Sequence, residues 1–543
     1  MIESMTTVKL ADSLPQRVYS AKQLLEHERE VATASNIAMF DLMTMAGTAV
    51  FTHLKSHYPA TDKLIVLAGK GNNGGDGFIT ARLAIESGLP VDLILVCQPQ
   101  VLTGDALTAY QLLQQTAMNT ESYSEYLLPS SPSLNLFACQ LKQFQQGFKH
   151  CLVIDALFGI GFRGCLSQPI RELVTAVNRS TFNVISVDIP SGLNATTGNI
   201  ENNQDQLNRS LDSCISATDT ISFIAVKQGL LTGRGPDVVG QLYLAPLSIN
   251  HAFQQQVATE CSVQGKTNLP VMPARRVGCH KGEVGLVLAI GGAEGMPGAI
   301  RLSAEAALRA GAGLVSVACH ASNQALVFHG RPELMLAPTS SEELLNHSHF
   351  AKAKVIVIGP GLGQGDWGKA LFKQIIQHPD SMKDKFIVLD ADGLNLLAQL
   401  PENEQVQCKR ANWLLTPHPL EAARLLKTTV ADIEADRFAA VNAIATKFGG
   451  ICLLKGAGTL ISDGLQVWIN SSGNPGMASG GMGDVLAGIC AASVLQFGSM
   501  LEAVRYACFI HGYCADLLVK KLAQRGLLAS DIVDALPTTM SGL

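Results

Sequence analysis

The stretch Leu64–Val96, LIVLAGKGNNGGDGFITARLAIESGLPVDLILV, decides the fold. Leu64–Ala68 is a short apolar run that ends in glycines, the mark of a buried strand. The pattern predicts a helix from Phe78 to Glu86, a stop at Gly88 and a second strand over Val91–Val96. Strand, Gly-rich turn, helix and strand make the opening unit of a doubly wound α/β sheet. The turn Gly71–Gly77, GNNGGDG, is not the GxGxxG fingerprint, because two Asn and an Asp fill it. Asn and Asp tolerate left-handed turns, so a purely structural turn would use the same residues. The functional reading is a phosphate or ribose cradle whose Asn72, Asn73 and Asp76 side chains reach an ion or a sugar.

Two more strand ends in this half run into polar loops. Leu152–Asp155 leads to ALFGIGFRG (Ala156–Gly164), and Val184–Asp188 leads to IPSG (Ile189–Gly192). Ligands of open parallel sheets bind beyond the carboxyl ends of strands. Asn73 with Asp76, Asp155, and Asp188 with Ser191 therefore form a convergent set, and oxygen donors of this kind suit a hard cation. Upstream, Ser20 and Gln23 have capping-box spacing for a first helix, and Asn36–Leu54 reads as a second. Thr220–Ala225 and Gln241–Ala245 read as the last strands. The expected organisation is a leader over 1–18, a first domain over 19–247, a linker over 248–268 and a second domain over 269–543. Asn199–Ser213 reads as a polar surface loop.

The second half repeats the logic without a fixed-period repeat. Strands over Gly285–Ile290, Val355–Ile358, Phe386–Asp390, Trp413–Leu415 and Ile451–Leu454 each end in a polar or Gly-rich loop. Its most informative loop is Asn474–Gly488, NPGMASGGMGDVLAG. Gly480, Gly481 and Gly483 free the backbone, and the apolar run from Val485 starts a helix. Unpaired amides at the positive end of a helix form an anion site. Asp484, at that junction, could take a proton from a substrate hydroxyl, although a glycine turn with an Asp N-cap would look the same. Lys455–Thr459, KGAGT, could hold nucleotide phosphates with its Lys and amides, but it is not a Walker A loop. Asp390 and Asn395 either pair structurally or line a pocket. His418, between two prolines at a strand end, reads as a substrate contact.

Composition narrows the class. The chain has 543 residues, 47% hydrophobic and only 16% charged, which suits large α/β domains with buried sheets. The formal charge of -5 and the lack of a basic tract argue against a nucleic-acid partner. Thirteen cysteines lie scattered with no CxxC pair, as expected of reduced thiols in a cytoplasmic protein. No secretory signal or membrane-length apolar run is read.

Taken together the motifs resemble a known pair of families. His280–Gly282, GGAEGMPGA (Gly291–Ala299), AALRAGAG (Ala306–Gly313), GPGLG (Gly359–Gly363), DADGLN (Asp390–Asn395), TPHP (Thr416–Pro419), KGAGT and NPGMASGGMGDVLAG resemble the nucleotide-dependent NAD(P)H-hydrate dehydratases of the ribokinase-like family. GNNGGDG, DALFGIGFRG (Asp155–Gly164) and VDIPSG (Val187–Gly192) resemble the NAD(P)H-hydrate epimerases. The order is that of a fused bifunctional repair enzyme. The resemblance implies an α/β chain of two domains: an N-terminal Rossmann-like doubly wound sheet and a C-terminal ribokinase-like α/β/α sandwich. It implies epimerisation of hydrated NADH and NADPH in the first half. The second half would dehydrate the S epimer with ADP or ATP, by phosphorylation of the hydroxyl and elimination of phosphate, giving NAD(P)H, phosphate and, from ADP, AMP.

The resemblance also carries site residues. In the epimerase half, substrate would meet Asn72, Asn73, Gly74, Gly75, Asp76, Gly159, Ile160, Gly161, Phe162, Arg163, Gly164, Cys165 and Asp188. Asp188 would be the catalytic base, and Asn73, Asp155 and Ser191 would hold K+. In the dehydratase half, Ala299, Gly363, His418 and Asp484 would contact the hydrate, with Asp484 the catalytic base. Lys455, Gly456, Ala457, Gly458, Thr459 and Gly483 would hold the nucleotide, with Mg2+ neutralising phosphate charge. Met482 and Leu420 depart from the family pattern. The remaining expectations are a cytoplasmic homo-oligomer with no nucleic-acid or membrane partner. The rival reading is a ribokinase-like small-molecule kinase fused to a nucleotide-binding scaffold module. GPGLG, TPHP, KGAGT and the fused first half argue against it.

Overall fold

The computed structural model describes residues 7–9, 17–118, 120–128, 141, 143, 145–201, 210–377 and 382–543. Most of the expected leader, and positions 202–209 of the Asn199–Ser213 loop, lie outside them. The chain divides into two compact units, Met1–Cys261 and Ser262–Leu543.

The first unit is an eight-stranded sheet. Its strands are β1 (Val8–Lys9), β2 (Lys63–Ala68), β3 (Val91–Leu95), β4 (Tyr123–Leu127), β5 (Cys151–Ala156), β6 (Asn183–Val187), β7 (Asp219–Phe223) and β8 (Gln241–Ala245). The spatial order is β1-β8-β7-β6-β5-β2-β3-β4, parallel throughout except for β1 at the edge. The chain leaves β2 toward β3 on one side and returns to β5 on the other. That reversal between β2 and β5 is the topological switch point, where a crevice opens beyond the strand ends.

Both faces of the sheet are covered. Leu64, Val66 and Ala68 pack with Leu24 of α1 (Ala21–Ala34), Leu42 and Ala46 of α2 (Met39–His57), Phe78 of α3 (Asn72–Glu86) and Leu113 of α4 (Gly104–Ala117). Ile65, Leu67 and Val153, on the alternate face, pack with Leu173 and Val177 of α5 (Gln168–Asn178). Ser20 caps α1 with the full capping box expected from the sequence.

Helix α3 is the main departure. It starts at Asn72, not Phe78, so most of GNNGGDG is the helix's own first turns. Its glycines serve contact with neighbouring backbone. A Cβ on Gly74 would sit 2.0 Å from the Gly69 carbonyl oxygen, and one on Gly77 would sit 2.6 Å from Ala156 Cβ. The segment 248–268, expected as a linker, carries structure: α6 (Asn250–Gln256), whose Phe253 lies in the first core, and β9 (Cys261–Gln264) at the edge of the second sheet.

The second unit is a ten-stranded sheet. Its other strands are β10 (Leu286–Ile290), β11 (Leu314–Ala318), β12 (Leu334–Leu336), β13 (Ala353–Ile358), β14 (Phe386–Leu389), β15 (Trp413–Leu415), β16 (Ile451–Leu454), β17 (Leu460–Ser462) and β18 (Val467–Asn470). The order is β12-β11-β10-β13-β14-β15-β16-β17-β18-β9. Strands β10 to β16 pair in parallel, and β16-β17-β18 is an antiparallel meander. Its switch point lies between β10 and β13. Val287, Ala289, Val355 and Val357 pack against α7 (Pro297–Arg309), while their neighbours Leu288 and Ile356 are equally buried facing the other way. Also on this unit are α8 (Asp392–Gln399), α9 (Pro419–Leu426), α10 (Arg437–Phe448), α11 (Met482–Gln496), α12 (Met500–Leu518) and α13 (Ala529–Ser541). Among the described residues no single helix is long and apolar enough to cross a membrane.

Gly74→Ala tests the close approach of α3 to β2. The 2.0 Å clash falls on backbone, which cannot swing aside. We expect a loss of about 1–3 kcal/mol in the first unit, as for other overpacked sites, seen as a lower midpoint in urea unfolding.

Candidate active sites

In the first unit a cavity of about 620 Å3 opens at the switch point. Its floor is Lys70–Asn73 and Asp76 beyond β2, with Leu157–Arg163 beyond β5. Leu24, Leu25 and Glu28 of α1 and Leu42 and Met43 of α2 also line it. Asp188 lines it too, with φ of 67°, a strained backbone setting for a residue with a Cβ. Its Oδ1 accepts hydrogen bonds from the Lys227 ammonium and, at 3.0 Å, from the Phe223 amide. Lys227 is held by Ser222 Oγ at 3.2 Å and the Phe223 carbonyl at 2.9 Å. Burial raises Asp76 well above the usual carboxylate range, and the charges of Asp188 and Glu28 push the same way against Lys227. Glu28 is raised by burial first and by Asp188 next, against Lys227 and Arg29.

The structure sorts the expected epimerase residues into two groups. Asn72, Asn73, Asp76, Gly159, Ile160, Gly161, Phe162, Arg163 and Asp188 line the cavity. Gly74 and Gly75 instead pack against Gly69 and Met43, and Gly164 and Cys165 are outside the lining. Asp155 and Ser191 lie fully buried behind it. The Asp155 carboxylate accepts from Ser186 Oγ (2.8 Å), the Ser191 amide (2.9 Å) and Ser191 Oγ (2.5 Å). Ser191 Oγ in turn accepts from the Phe158 amide at 2.9 Å, which ties β6 to the loop after β5.

In the second unit the loops at the switch point interlock. The Gly292 and Ala293 amides donate to the carbonyls of Pro360 and Gly361 at 3.1 and 2.7 Å. The Gly363 amide donates to Asp392 Oδ2 at 2.9 Å, and a Cβ on Gly361 would come within 3.2 Å of Ala299 Cβ. So Ala299 and Gly363 are brought to the same place.

Beside them lies a charged cluster. Asp390, 1% exposed, accepts from Thr416 Oγ1 at 2.7 Å and from Lys455 Nζ at 2.8 Å. Glu421 Oε2 lies 3.9 Å from the same ammonium. Burial works against the Lys455 charge, but Asp390 and Glu421 outweigh it and its pKa stands above the usual value. Lys455 is thus already matched by carboxylates, where the sequence suggested an ammonium open to phosphate. A Cβ on Gly483 would sit 3.2 Å from Lys455 Nζ, so the start of α11 packs tightly against the ammonium. Gly481, the N-cap, has φ of 87°. Asp484 lies in the first turn of α11 and is pushed up to about 7 by burial and then by Asp390, against Lys455. Glu421 is pushed up to about 7 by burial, against Lys455.

His418 Nδ1 accepts from the amides of Leu420 (3.1 Å) and Glu421 (3.4 Å), so that nitrogen caps α9 and only the rest of the ring faces out. Asp390 and Asn395 do not form the pair the sequence allowed. Asn395 bonds Asp392 and Arg424 instead. The KGAGT loop rests on Arg437, 1% exposed, which donates to the carbonyls of Leu454 and Lys455 at 3.3 and 3.1 Å. Thr459 Oγ1 closes the loop on Gly456 at 2.9 Å. Sequence reasoning missed Glu28, Lys227, Glu421 and Arg437. Only Glu421 left a signal, three residues past His418 at capping-box spacing. Among the described residues no group of three or more His, Cys, Asp or Glu side chains is placed to hold a metal.

Two Gly-loop sites at the switch points of two parallel sheets, each setting carboxyl groups around one ammonium, define a two-centre α/β enzyme. Comparison with known proteins agrees. The family described as NAD(P)H-hydrate dehydratase matches residues 287–538, and the one described as YjeF-related protein N-terminus matches 39–229. A bifunctional NAD(P)H-hydrate repair enzyme Nnr of Coxiella burnetii is 38% identical, over 95% of this chain and 97% of that one. The protein of the same name from Escherichia coli is 38% identical, over 96% and 94%. A solved ribokinase-like superfamily protein from Enterococcus faecalis is 30% identical, covering 53% of this chain and 97% of its own, with a TM-score of 0.48. The chain belongs to the bifunctional NAD(P)H-hydrate repair enzymes.

Asp390→Asn would leave the Lys455 ammonium without its hydrogen-bonded carboxylate in a buried setting. We expect a loss of about 3–5 kcal/mol, the cost of breaking a buried pair, measured as a lower unfolding midpoint of the second unit. Thr416→Val, which removes only a neutral partner, should cost less.

Proposed function

We propose that the first unit interconverts the R and S epimers of hydrated NADH and NADPH in the 620 Å3 cavity, and that the second removes water from the S epimer with ADP or ATP. The observation that carries this is the pairing, at the strand ends of each sheet, of a Lys–Asp ion pair with further carboxyl groups held above their usual range.

Asp188 is the base of the first site, aimed by Lys227 and the Phe223 amide. K+ fits the residues behind the cavity. Asp155 is wholly buried, raised by desolvation, and among the described residues has no cationic side chain as a partner. Asn73 Oδ1 is the atom that could reach the ion, and a Cβ on Gly159 would sit 3.3 Å from it; among the described residues the donor Nδ2 of the same amide is buried without a hydrogen-bond partner. Asn73, Asp155 and Ser191 would hold the ion, whose charge would keep Asp155 ionised and the loop after β5 in place.

In the second site Asp484 takes the proton from the substrate hydroxyl. The oxygen attacks the terminal phosphorus of the nucleotide, and the P–O bond to the leaving phosphate of the nucleotide breaks. A phosphate ester leaves far more easily than hydroxide, so the C–O bond then breaks and a neighbouring C–H proton is lost, restoring the double bond. Amides of the first turn of α11 face the developing negative charge. Mg2+ carried in with nucleotide phosphates fits a site with few carboxylates to spare, since Mg2+ keeps several waters and needs one or two protein ligands. It would be held chiefly by the nucleotide phosphates and water and would neutralise phosphate charge, because Asp390 is 1% exposed and committed to Thr416 and Lys455 while Asp484 acts as the base. Asp390 and Glu421 keep Lys455 in place, and Arg437 holds its loop. The reading includes a homo-oligomeric cytoplasmic protein without a nucleic-acid or membrane partner. A small-molecule kinase would use the same Gly–Asp turn but would leave a stable phosphorylated product.

Absorbance recovery at the reduced-nicotinamide band tests both activities. Wild-type chain with racemic NADH hydrate, Mg2+, K+ and ADP or ATP should recover all of the NADH. Asp484→Asn should cut the rate by about 10^2–10^4-fold, the usual contribution of a general base. Asp188→Asn should stop recovery near the point where the S epimer is consumed. A base must be ionised to act, so kcat/KM for the S hydrate should fall as pH drops through about 7, the value to which Asp484 is raised. Unchanged turnover in Asp484→Asn would overturn the assignment.

A further inference from the structure

The first cavity carries more acid than one base requires. Helix α1 buries a stripe of Leu24, Val31 and Ala32, and Glu28 stands in the middle of that stripe, four residues from Leu24. Its carboxyl makes no hydrogen bond or ion pair among the described residues, yet it lines the cavity with Asp76 and Asp188. We propose that Glu28 is a second catalytic residue of the epimerisation, the proton donor that works with the Asp188–Lys227 pair. The proposal rests on the reading that this cavity epimerises the hydrates.

Water adds to an enamine double bond with its hydroxyl on the carbon bonded to nitrogen, so the epimeric carbon is next to the ring nitrogen. Exchange of configuration then takes two balanced steps. The Glu28 proton goes to the hydroxyl oxygen. The C–O bond breaks with its electron pair on the departing water, while the nitrogen lone pair forms a C=N bond and the ring becomes cationic. Water then attacks the other face and its proton goes to Asp188, as the C=N pair returns to nitrogen. One proton has moved from Glu28 to Asp188. Asp76, coupled electrostatically to both, is the group placed to return it.

The surroundings suit that chemistry. The charged groups on the cavity are Glu28 on α1, Asp76 on α3, Asp105 on α4, Lys70 after β2, Arg163 after β5, Asp188 after β6 and Lys227 after β7. Helix α2 contributes only apolar side chains to it. Arg163 is turned onto the Ile160 and Phe162 carbonyls of its own loop. Lys227 is taken by Asp188, so Glu28 and Asp76 have no ammonium of their own. Burial favours their protonated forms, the state a donor needs. Once Glu28 has given up its proton, its carboxylate joins that of Asp188 beside the ring cation.

The test is interconversion of R and S NADH hydrate by the full chain without nucleotide, followed by chromatography of the epimers across pH. Glu28→Gln should lower kcat by about 10^2–10^4-fold with little change in KM, and the alkaline limb of the kcat profile, where the donor loses its proton, should vanish. Glu28→Asp should keep the limb and part of the rate. A urea-unfolding midpoint of the first unit unchanged from wild type reports that the variant is folded. Wild-type kcat in Glu28→Gln, or a raised KM with the alkaline limb intact, would overturn the proposal while a dead Asp188→Asn keeps the site. Full epimerisation by Asp188→Asn would remove the cavity itself from the reaction.

Discussion

A parallel sheet covered by helices on both faces can display chemistry only at its strand ends, and that constraint orders both halves of this chain. Val66 and Val153 point to opposite helical layers, as do Val287 and Leu288, so no strand interior is left for a ligand. Where the winding reverses, between β2 and β5 and between β10 and β13, adjacent loops leave in opposite directions and a crevice opens. The two units reach this geometry with unrelated loop sequences.

At both crevices the electrostatic solution is similar. One ammonium, Lys227 or Lys455, is bound tightly to one aspartate, Asp188 or Asp390. Further carboxyls sit nearby without a cation of their own. The paired aspartate differs in duty. Asp188 faces the cavity, whereas Asp390 is nearly sealed and serves to hold Lys455 against α11. Asp484, the proposed base, makes no ion pair among the described residues of that cluster, where Asp390 and Glu421 share Lys455. A pair thus fixes the field, and an unpaired acid next to it carries a shifted proton affinity.

Much of this could be read from the sequence because strand ends advertise themselves. Apolar runs ending just before Gly69, or at Asp155, Asp188 and Asp390, located four of the strand ends that carry site residues. What could not be read was packing. The glycines of Gly71–Gly77 read as loop because glycine disfavours helix, but in the fold Gly74 lets α3 reach the Gly69 carbonyl just past β2. Glu28 resembles its neighbours Glu26 and Glu30 in sequence, and only the docking of α1 turns it inward. Lys227 lies 39 residues from the Asp188 it pairs with, and Arg437 lies 18 from the Lys455 carbonyl it holds, so no spacing rule links them. His418 was conspicuous for its prolines, yet one ring nitrogen is spent on capping α9.

The raised carboxyls bind function to stability. Unfolded, Asp484 and Glu421 would release their protons near pH 4. Folded, each holds its proton up to about 7. The folded state therefore binds more protons between those limits, and the stability these two groups contribute is complete below the unfolded value and lost as pH rises through about 7. At neutral pH Asp484 is costly to ionise because burial takes it out of water and Asp390 repels its charge. On the proposed mechanism, positive charge arriving with nucleotide phosphates would lower that cost, and Asp484 would gain its proton-accepting form when the phosphoryl donor is in place. The burial that costs stability at neutral pH would then couple the readiness of the proposed base to the presence of the group that its substrate must attack.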